Sequence, residues 1–347
     1  MMADLHKDHS RRVFVNPKLK LLKYLGFLSA IACLFAPSAS FASEGASRLP
    51  TWLNAHVGAG NGQIAPMVLE RARALYLEKL SQGKIRNACY FAMDATRPND
   101  LTEGPAGGRF YIICEAEQSF RVISSGHGGG RNLPGVANFT NERQCAKNFG
   151  NALNSNLTAG GAYLTSEIKT SFKGYYNVSP KQETVLTRSF VQFDGIGETA
   201  NARQRAIGGH ASALVSGICM MKKPDSPYAN RDGYVPRGKL VTYAGGRSDG
   251  CTSWSPSETP QALSMVKDNP TTLYVYPESK DIAAVSKALA AAKAPEKSGL
   301  YWNATCLQEI GAPKFWAKET LEPIITKYTE DHPAPPPRPV PICEGFL

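Results

Sequence analysis

The feature that most constrains this chain is a set of seven cysteines placed behind an export-type leader. Residues 7–23 are basic, Tyr24 to Phe35 is apolar, and small residues run on to Ser40-Phe41-Ala42. This order of charged, apolar and small segments is that of a secretory signal peptide, with cleavage expected after Ala42. The apolar stretch falls short of the roughly 20 residues of a spanning helix, so no membrane span is expected once the leader is removed. Ser10-Arg11-Arg12-Val13-Phe14 is similar to a twin-arginine signal but is separated from the apolar run by a lysine-rich gap, which leaves the export route open. Removal of Cys33 with the leader leaves Cys89, Cys114, Cys145, Cys219, Cys251, Cys306 and Cys343. In an oxidising compartment six can pair and one is left over. None stands in a Cys-x-x-Cys pair, so a zinc site or thioredoxin-like chemistry lacks its usual spacing, and neither metal nor cofactor is expected.

Composition narrows the fold. With 42% hydrophobic and 20% charged residues the chain can bury a core, which excludes global disorder. The 31 glycines and 24 prolines favour a loop-rich, β-containing protein over a helical bundle. The net charge is +10. Six basic and two acidic residues lie in 1–42, so +6 belongs to the remainder. That excess suits an anionic partner such as nucleic acid, an anionic membrane or an acidic wall polymer, and equally a solvated lysine-rich surface. No long basic run follows Lys23, and no nucleic-acid partner is expected.

Periodicity supplies the elements. Val68, Leu69, Ala72, Leu75, Tyr76 and Leu80 make one apolar face and predict a helix from Pro66 to Leu80. Ala88 to Met93 reads as a short strand. Arg109–Cys114 and Ser119–Ser124 around Glu115-Ala-Glu-Gln118 read as a hairpin. Residues 126–161 read as loop, and Leu186–Phe193, Lys239–Tyr243 and Thr271–Tyr276 as strands. Asp281 to Lys293 reads as a helix stopped by Pro295. The tail from Pro333 to Pro341 favours polyproline II, and Cys343 beyond it suggests an end pinned back. There is no internal repeat. The expected organisation is a leader (1–42), a helical lead (43–87), a catalytic domain (88–278) and a helical, proline-rich extension (279–347), together a β-rich α+β protein.

Two segments carry chemistry. Ala206-Ile-Gly-Gly-His210 delivers a histidine from a small, apolar strand end. Gly245-Gly-Arg-Ser-Asp-Gly-Cys-Thr-Ser-Trp254 sets Cys251 in a glycine-rich loop. A thiol nucleophile needs a base to take its proton and backbone N–H groups aimed at the developing oxyanion. Glycine before cysteine allows the tight turn that converges such donors. Taken alone, Ser-x-Gly-Cys is weak, and a cysteine in a glycine-rich loop of an exported protein is more often structural.

The surrounding pattern resembles the L,D-transpeptidase catalytic domain, in its larger murein transpeptidase-like branch, from about Ala88 to Pro277. The resemblance rests on an ordered set: Phe110 to Ser125 with Val122-Ile-Ser-Ser-Gly126; Phe193-Asp-Gly195, Asn201-Ala-Arg203, Arg205-Ala-Ile207 and His210; Gly246-Arg247-Ser248-Asp-Gly250-Cys251; and Leu273-Tyr-Val-Tyr-Pro277. Histidine precedes cysteine, the reverse of a papain-like protease. The chain departs from the family in three places. His210 and Cys251 lie 41 residues apart, Thr252-Ser253 stand where an arginine is common, and Ala211 stands where glycine is common. The long spacing suggests an inserted loop holding Cys219 and Lys222–Pro236.

The resemblance implies a β-sandwich or barrel catalytic fold, peptidoglycan stem peptides as donors, a Cys251 thioester and a periplasmic or cell-envelope location. His210 would be the base. The backbone amides of Gly250 and Cys251 would hold the oxyanion, and Ser248 would brace the loop or hydrogen-bond near the histidine. Arg247 would meet a stem carboxylate or form a structural ion pair. His127, in a glycine-rich loop expected to be mobile, would line the cleft or have no role. Tyr243 and Trp254 would pack. The pair could rest as neutral thiol and imidazole or as thiolate and imidazolium. The same thioester released by water would give an L,D-carboxypeptidase or a wall-protein amidase. An inactive, disulfide-stapled wall-binding protein is the rival outside enzymes, and its signature would be a bridged Cys251. With Cys251 free, the other six cysteines have 15 possible connectivities, among which Cys219 and Cys343 look like staples of loop and tail.

Overall fold

The computed structural model describes residues 49–99, 107–179, 182–242 and 247–344, with the side chains of 178, 179 and 247 left aside. The expected leader and its expected cleavage site after Ala42, with Cys33, Tyr243, Gly245 and Gly246, lie outside the described residues. The chain divides into Met1–Glu44 and Gly45–Leu347, and every described residue belongs to the second unit.

Helix α1 (Pro66–Ser81) begins on a proline at its first turn, and Val68, Leu69, Ala72, Leu75 and Tyr76 form its buried face. Strands β1 (Cys89–Asp94), β2 (Phe110–Cys114) and β3 (Ser119–Ile123) follow as an antiparallel run. The Glu115–Gln118 turn joins the last two, with Gln118 at positive φ. Then come β4 (Ser125–Gly128) and three short strands, β5 (Asn132–Leu133), β6 (Ala137–Asn138) and β7 (Asn148–Gly150). The long ribbon β8 (Gly161–Ser179) and β9 (Gln182–Ile196) leads into β10 (Gly208–Ala211). A second ribbon, β11 (Ala213–Lys222) and β12 (Tyr234–Thr242), precedes β13 (Arg247–Ser248) and β14 (Thr252–Trp254). The chain closes with α2 (Thr259–Val266), β15 (Thr272–Tyr276), α3 (Ser279–Ala290), α4 (Ala304–Ile310), β16 (Lys314–Trp316) and α5 (Lys318–Asp331).

Ten of these strands run in the order β13-β4-β14-β10-β9-β8-β15-β1-β2-β3, and the β11–β12 ribbon joins the far end of β8 through Arg237↔Tyr175. The sheet is mixed, with parallel pairs at β1–β15, β10–β14, β13–β4 and β12–β8. This is a β-rich α+β fold. Its central strands β1 and β15 are buried at every position because both faces are covered. The period of two sorts their side chains. Phe91, Met93, Leu273 and Val275 join a core with Val266, Ile282 and Val285. Tyr90, Ala92, Tyr274 and Tyr276 join the core of α1. Both α1 and the C-terminal helices α3 and α4 therefore share cores with the sheet, while α5 packs on a separate cluster with Leu133, Phe139 and Leu157. Arg71 of α1 also forks onto the Asp281 carboxylate of α3 at 2.6 and 2.8 Å.

Three disulfides pair the six other cysteines. Cys89–Cys114 crosses the β1–β2 pair, Cys145–Cys306 ties the segment before β7 to α4, and Cys219–Cys343 pins the proline tail to β11. The two expected staples are bonded to each other. The Met220 N–H donates to the Pro341 carbonyl at 2.7 Å and the Cys343 N–H to the Met220 carbonyl at 3.0 Å, so the tail docks as one rung on that ribbon. The segment expected as an inserted loop is largely this β11–β12 hairpin. Among the described residues no helix is long and apolar enough to cross a membrane.

Candidate active site

Cys251 is the one free cysteine among the described residues, and it is buried, with 8% of its surface exposed. It stands just before β14, which lies between β10 and β4. The parallel β10–β14 pair sets His210 opposite Ser253, two residues past Cys251. Cys251, His210, Ser248, Asp249, Arg188, Arg205, Phe190, Leu214, Ala206, Asn154 and Asn156 line one cavity of about 620 Å³. A larger groove of about 830 Å³ lies beside α2, and its lining holds no cysteine or histidine, so the two candidate residues meet in the smaller cavity.

Local sequence explains the placement. The glycines before His210 are demanded by close approach: a Cβ at 208 would meet the Val191 carbonyl oxygen at 2.2 Å, and one at 209 would meet the Trp254 ring at 2.2 Å. Trp254, fully buried against Phe110, thereby presses β10 flat and fixes the histidine that follows. Gly250 turns the chain at φ +106°, where a Cβ would also strike the Leu157 carbonyl oxygen at 2.8 Å. Ser248 Oγ donates to the Cys251 carbonyl at 2.5 Å and accepts the Gly250 N–H at 3.2 Å. Ser248 thus braces the turn. The Gly250 amide expected in an oxyanion hole is instead occupied by that serine.

His210 is 7% exposed and stacks on Phe190 with ring centroids 6.0 Å apart. Its Nδ1 lies 2.8 Å from the Ala211 carbonyl oxygen and 2.8 Å from Arg188 Nη2. Burial pushes its pKa down to about 4; the Ala211 carbonyl opposes the fall and the Arg188 charge adds to it. Burial likewise pushes the Cys251 thiol up to about 11. The Gly208 N–H and the Arg188 and Arg205 charges pull against this, and Asp249 adds to it. Of the two resting states open to the pair, the neutral thiol and neutral imidazole is the one these environments favour. Among the described residues no hydrogen bond joins the thiol to the imidazole; Sγ donates to the Ala206 carbonyl at 3.6 Å.

His127 does not line this cavity. It is fully buried in β4, with Nδ1 2.7 Å from Arg109 Nη2 and Nε2 2.9 Å from the Glu142 carbonyl oxygen. A guanidinium only donates, so Nδ1 accepts and Nε2–H donates to Glu142. Nor is the segment a loose loop: Gly128 lies against the backbone of residues 156–158 and Gly130 against the Phe139 carbonyl. Arg247 sits in β13 in register with His127.

The cavity also holds residues that the sequence did not single out for a role. Arg188 projects from β9 opposite a bulge at Ser171, and its Nη1 donates to Ser171 Oγ at 3.0 Å. Arg205 donates to the Leu157 carbonyl at 2.5 Å. Asn154 and Asn156 both adopt φ of 58°, a conformation asparagine tolerates better than most residues. Among the described residues no cluster of three or more His, Cys, Asp or Glu could hold a metal ion. No family model, curated protein or solved structure matches the chain.

Proposed function

We propose that this protein is an exported cysteine acyl transferase of the L,D-transpeptidase type, acting on peptidoglycan stem peptides through a Cys251 thioester. One observation carries the reading: the only cysteine among the described residues left out of the disulfides shares a cavity with a histidine held on the adjacent parallel strand. The ordered motifs from Phe110 to Pro277 and the mixed, β-rich sheet support the family's fold as the frame. Three disulfides support passage into an oxidising compartment, in keeping with a periplasmic or cell-envelope location.

With Nδ1–H donating to the Ala211 carbonyl, the Nε2 lone pair of His210 is available as base. Cys251 Sγ attacks the carbonyl on the L-centre side of an L,D-bond. The S–C bond forms, the thiol proton passes to His210, and the C–N bond breaks as His210 returns that proton to the leaving D-residue. An acceptor amine then attacks the thioester, forms the new amide and restores the thiol. Because the buried thiol rests protonated, its proton must pass to His210 for the thioester to form.

The test is intact mass of the leaderless protein after incubation with a stem tetrapeptide or a carbapenem-type acylating agent. The reading expects one adduct, on Cys251, absent from Cys251→Ala. An unmodified wild type, or turnover that survives in Cys251→Ala, would overturn it.

A further inference from the structure

The Nδ1 atom of His210 has two neighbours that ask opposite things of it. Arg188 Nη2, at 2.8 Å, is a donor and requires a lone pair there. The Ala211 carbonyl oxygen, also at 2.8 Å, is an acceptor and requires a proton there. A neutral imidazole satisfies one at a time. While Arg188 holds Nδ1, the ring proton sits on Nε2, and the ring has no lone pair to offer a thiol. When Arg188 leaves, the proton moves through solvent from Nε2 to Nδ1, the Ala211 carbonyl accepts it, and Nε2 becomes basic. No net proton is gained or lost.

The surroundings say what draws Arg188 away. Arg188 is half-buried, and its other terminal nitrogen is held by Ser171 Oγ on the bulge. The cavity carries the guanidinium groups of Arg188 and Arg205 against the single carboxylate of Asp249, which is exposed. A guanidinium prefers a carboxylate fork to a single imidazole nitrogen. In a peptide donor the leaving residue's carboxylate is two covalent bonds from the amine that His210 must protonate. It therefore reaches the same imidazole that Arg188 touches.

We infer that Arg188 is a positioning residue that holds His210 in its non-basic tautomer until the free carboxylate of the donor's leaving residue takes the guanidinium away. The inference rests on the acyl-transfer reading above and deepens it by naming what releases the base: the free carboxylate of the leaving residue. It also gives a reason for keeping a cation beside a general base, since the empty site would leave Cys251 unactivated toward water and stray electrophiles.

Two measurements test it. The first does not depend on turnover. Imidazole ¹⁵N spectra of the histidine-labelled, leaderless protein, assigned with His210→Gln, report which ring nitrogen carries the proton. The probes are N-acetyl-D-alanine and N-acetyl-D-alaninamide, which lacks the carboxylate. In wild type the His210 proton is expected on Nε2 in buffer and with the amide, and on Nδ1 with the acid. In Arg188→Met it is expected on Nδ1 throughout, while Arg188→Lys, which keeps a donor, behaves as wild type. The same proton position in wild type and Arg188→Met, or equal effects of acid and amide, would overturn the inference. The second compares acylation of Cys251 by a stem tetrapeptide and by its C-terminal amide. Wild type should favour the acid by about tenfold or more, and Arg188→Met should lose that preference and react faster than wild type with the amide. Preference retained in Arg188→Met would overturn the inference as well. Failure of both peptides to acylate any variant, with the expected spectra, would remove the peptide-donor reading and leave the carboxylate-driven tautomer standing.

Discussion

Strands β4 and β10 flank β14, the strand that follows Cys251, and look alike in sequence: each brings a histidine beside glycines. They pair with the same residue, since Ser253 lies opposite Gly126 on one side and His210 on the other. His127 is one residue past that rung. With a period of two, one residue is the difference between the two faces of a sheet. His210 reaches the cavity, and His127 is carried into a fully buried network with Arg109. The lesson is that a histidine's neighbours in sequence say less about its task than its rung on the ladder.

The difference can be attacked at its supports. The largest effect should come from the Cys145–Cys306 bridge, which pins the segment whose Glu142 and Gln144 carbonyls accept from His127 and Arg109. The bridged residues are 161 apart. In the chain-entropy account, Cys145→Ser with Cys306→Ser should therefore lose about 3–5 kcal/mol. Denaturant unfolding measures it, and the acylation rate of the protein that stays folded should hold. A collapse of that rate at unchanged stability would join the β4 side to the chemistry.

Next in size, His127→Ala leaves a buried guanidinium of Arg109 short of an acceptor, at a cost of about 1–3 kcal/mol. Arg109, itself pushed down to about 9 by burial, depends on such carbonyl and imidazole acceptors. Urea titration should show the loss, and an unchanged midpoint would mean that the network is idle.

The smallest effect is a displaced pH limb. Burial lowers His210 to about 4, so His210 stays neutral and able to act as base down to that pH. The acylation rate should be flat from neutrality to pH 5 and fall to half near pH 4. An unfolded imidazole binds its proton near 6.5, so between about 6.5 and 4 the unfolded state holds a proton the native state lacks. This site therefore weakens folding as pH falls through that window and has no effect above it. An acid limb near 6.5 would place the base in water and not in this cavity.

Much of the frame was legible because the signals are local. The α1 stripe, the β2–β3 hairpin and β15 have clean periods and clear stops, and they appear within a residue or two. Residues 126–161 hid β4 because Ser-Gly-His-Gly has no apolar alternation; its burial comes from neighbours on both sides. The 19-residue β8 was missed since its polar, half-exposed rungs lack a clean alternation and are stabilised by β9, next in the chain, and by β15 and β12, distant in sequence. Helices α4 and α5 are a short helix and one with an internal proline, Pro323, both weak as isolated patterns. At the site, Cys251 and His210 announced themselves through glycine context. Arg188 gave no signal, because only the bulge at Ser171 aims it at the imidazole.

The central claim is that the histidine on the cavity side of β14 is the base for Cys251. Its most direct test is the acylation rate of Cys251 under saturating stem tetrapeptide at neutral pH, by intact mass, in His210→Ala and His127→Ala. The account predicts a loss of about 10²-fold or more in His210→Ala, the usual contribution of a general base, and a rate near wild type in folded His127→Ala. An equal or greater loss in His127→Ala would contradict it.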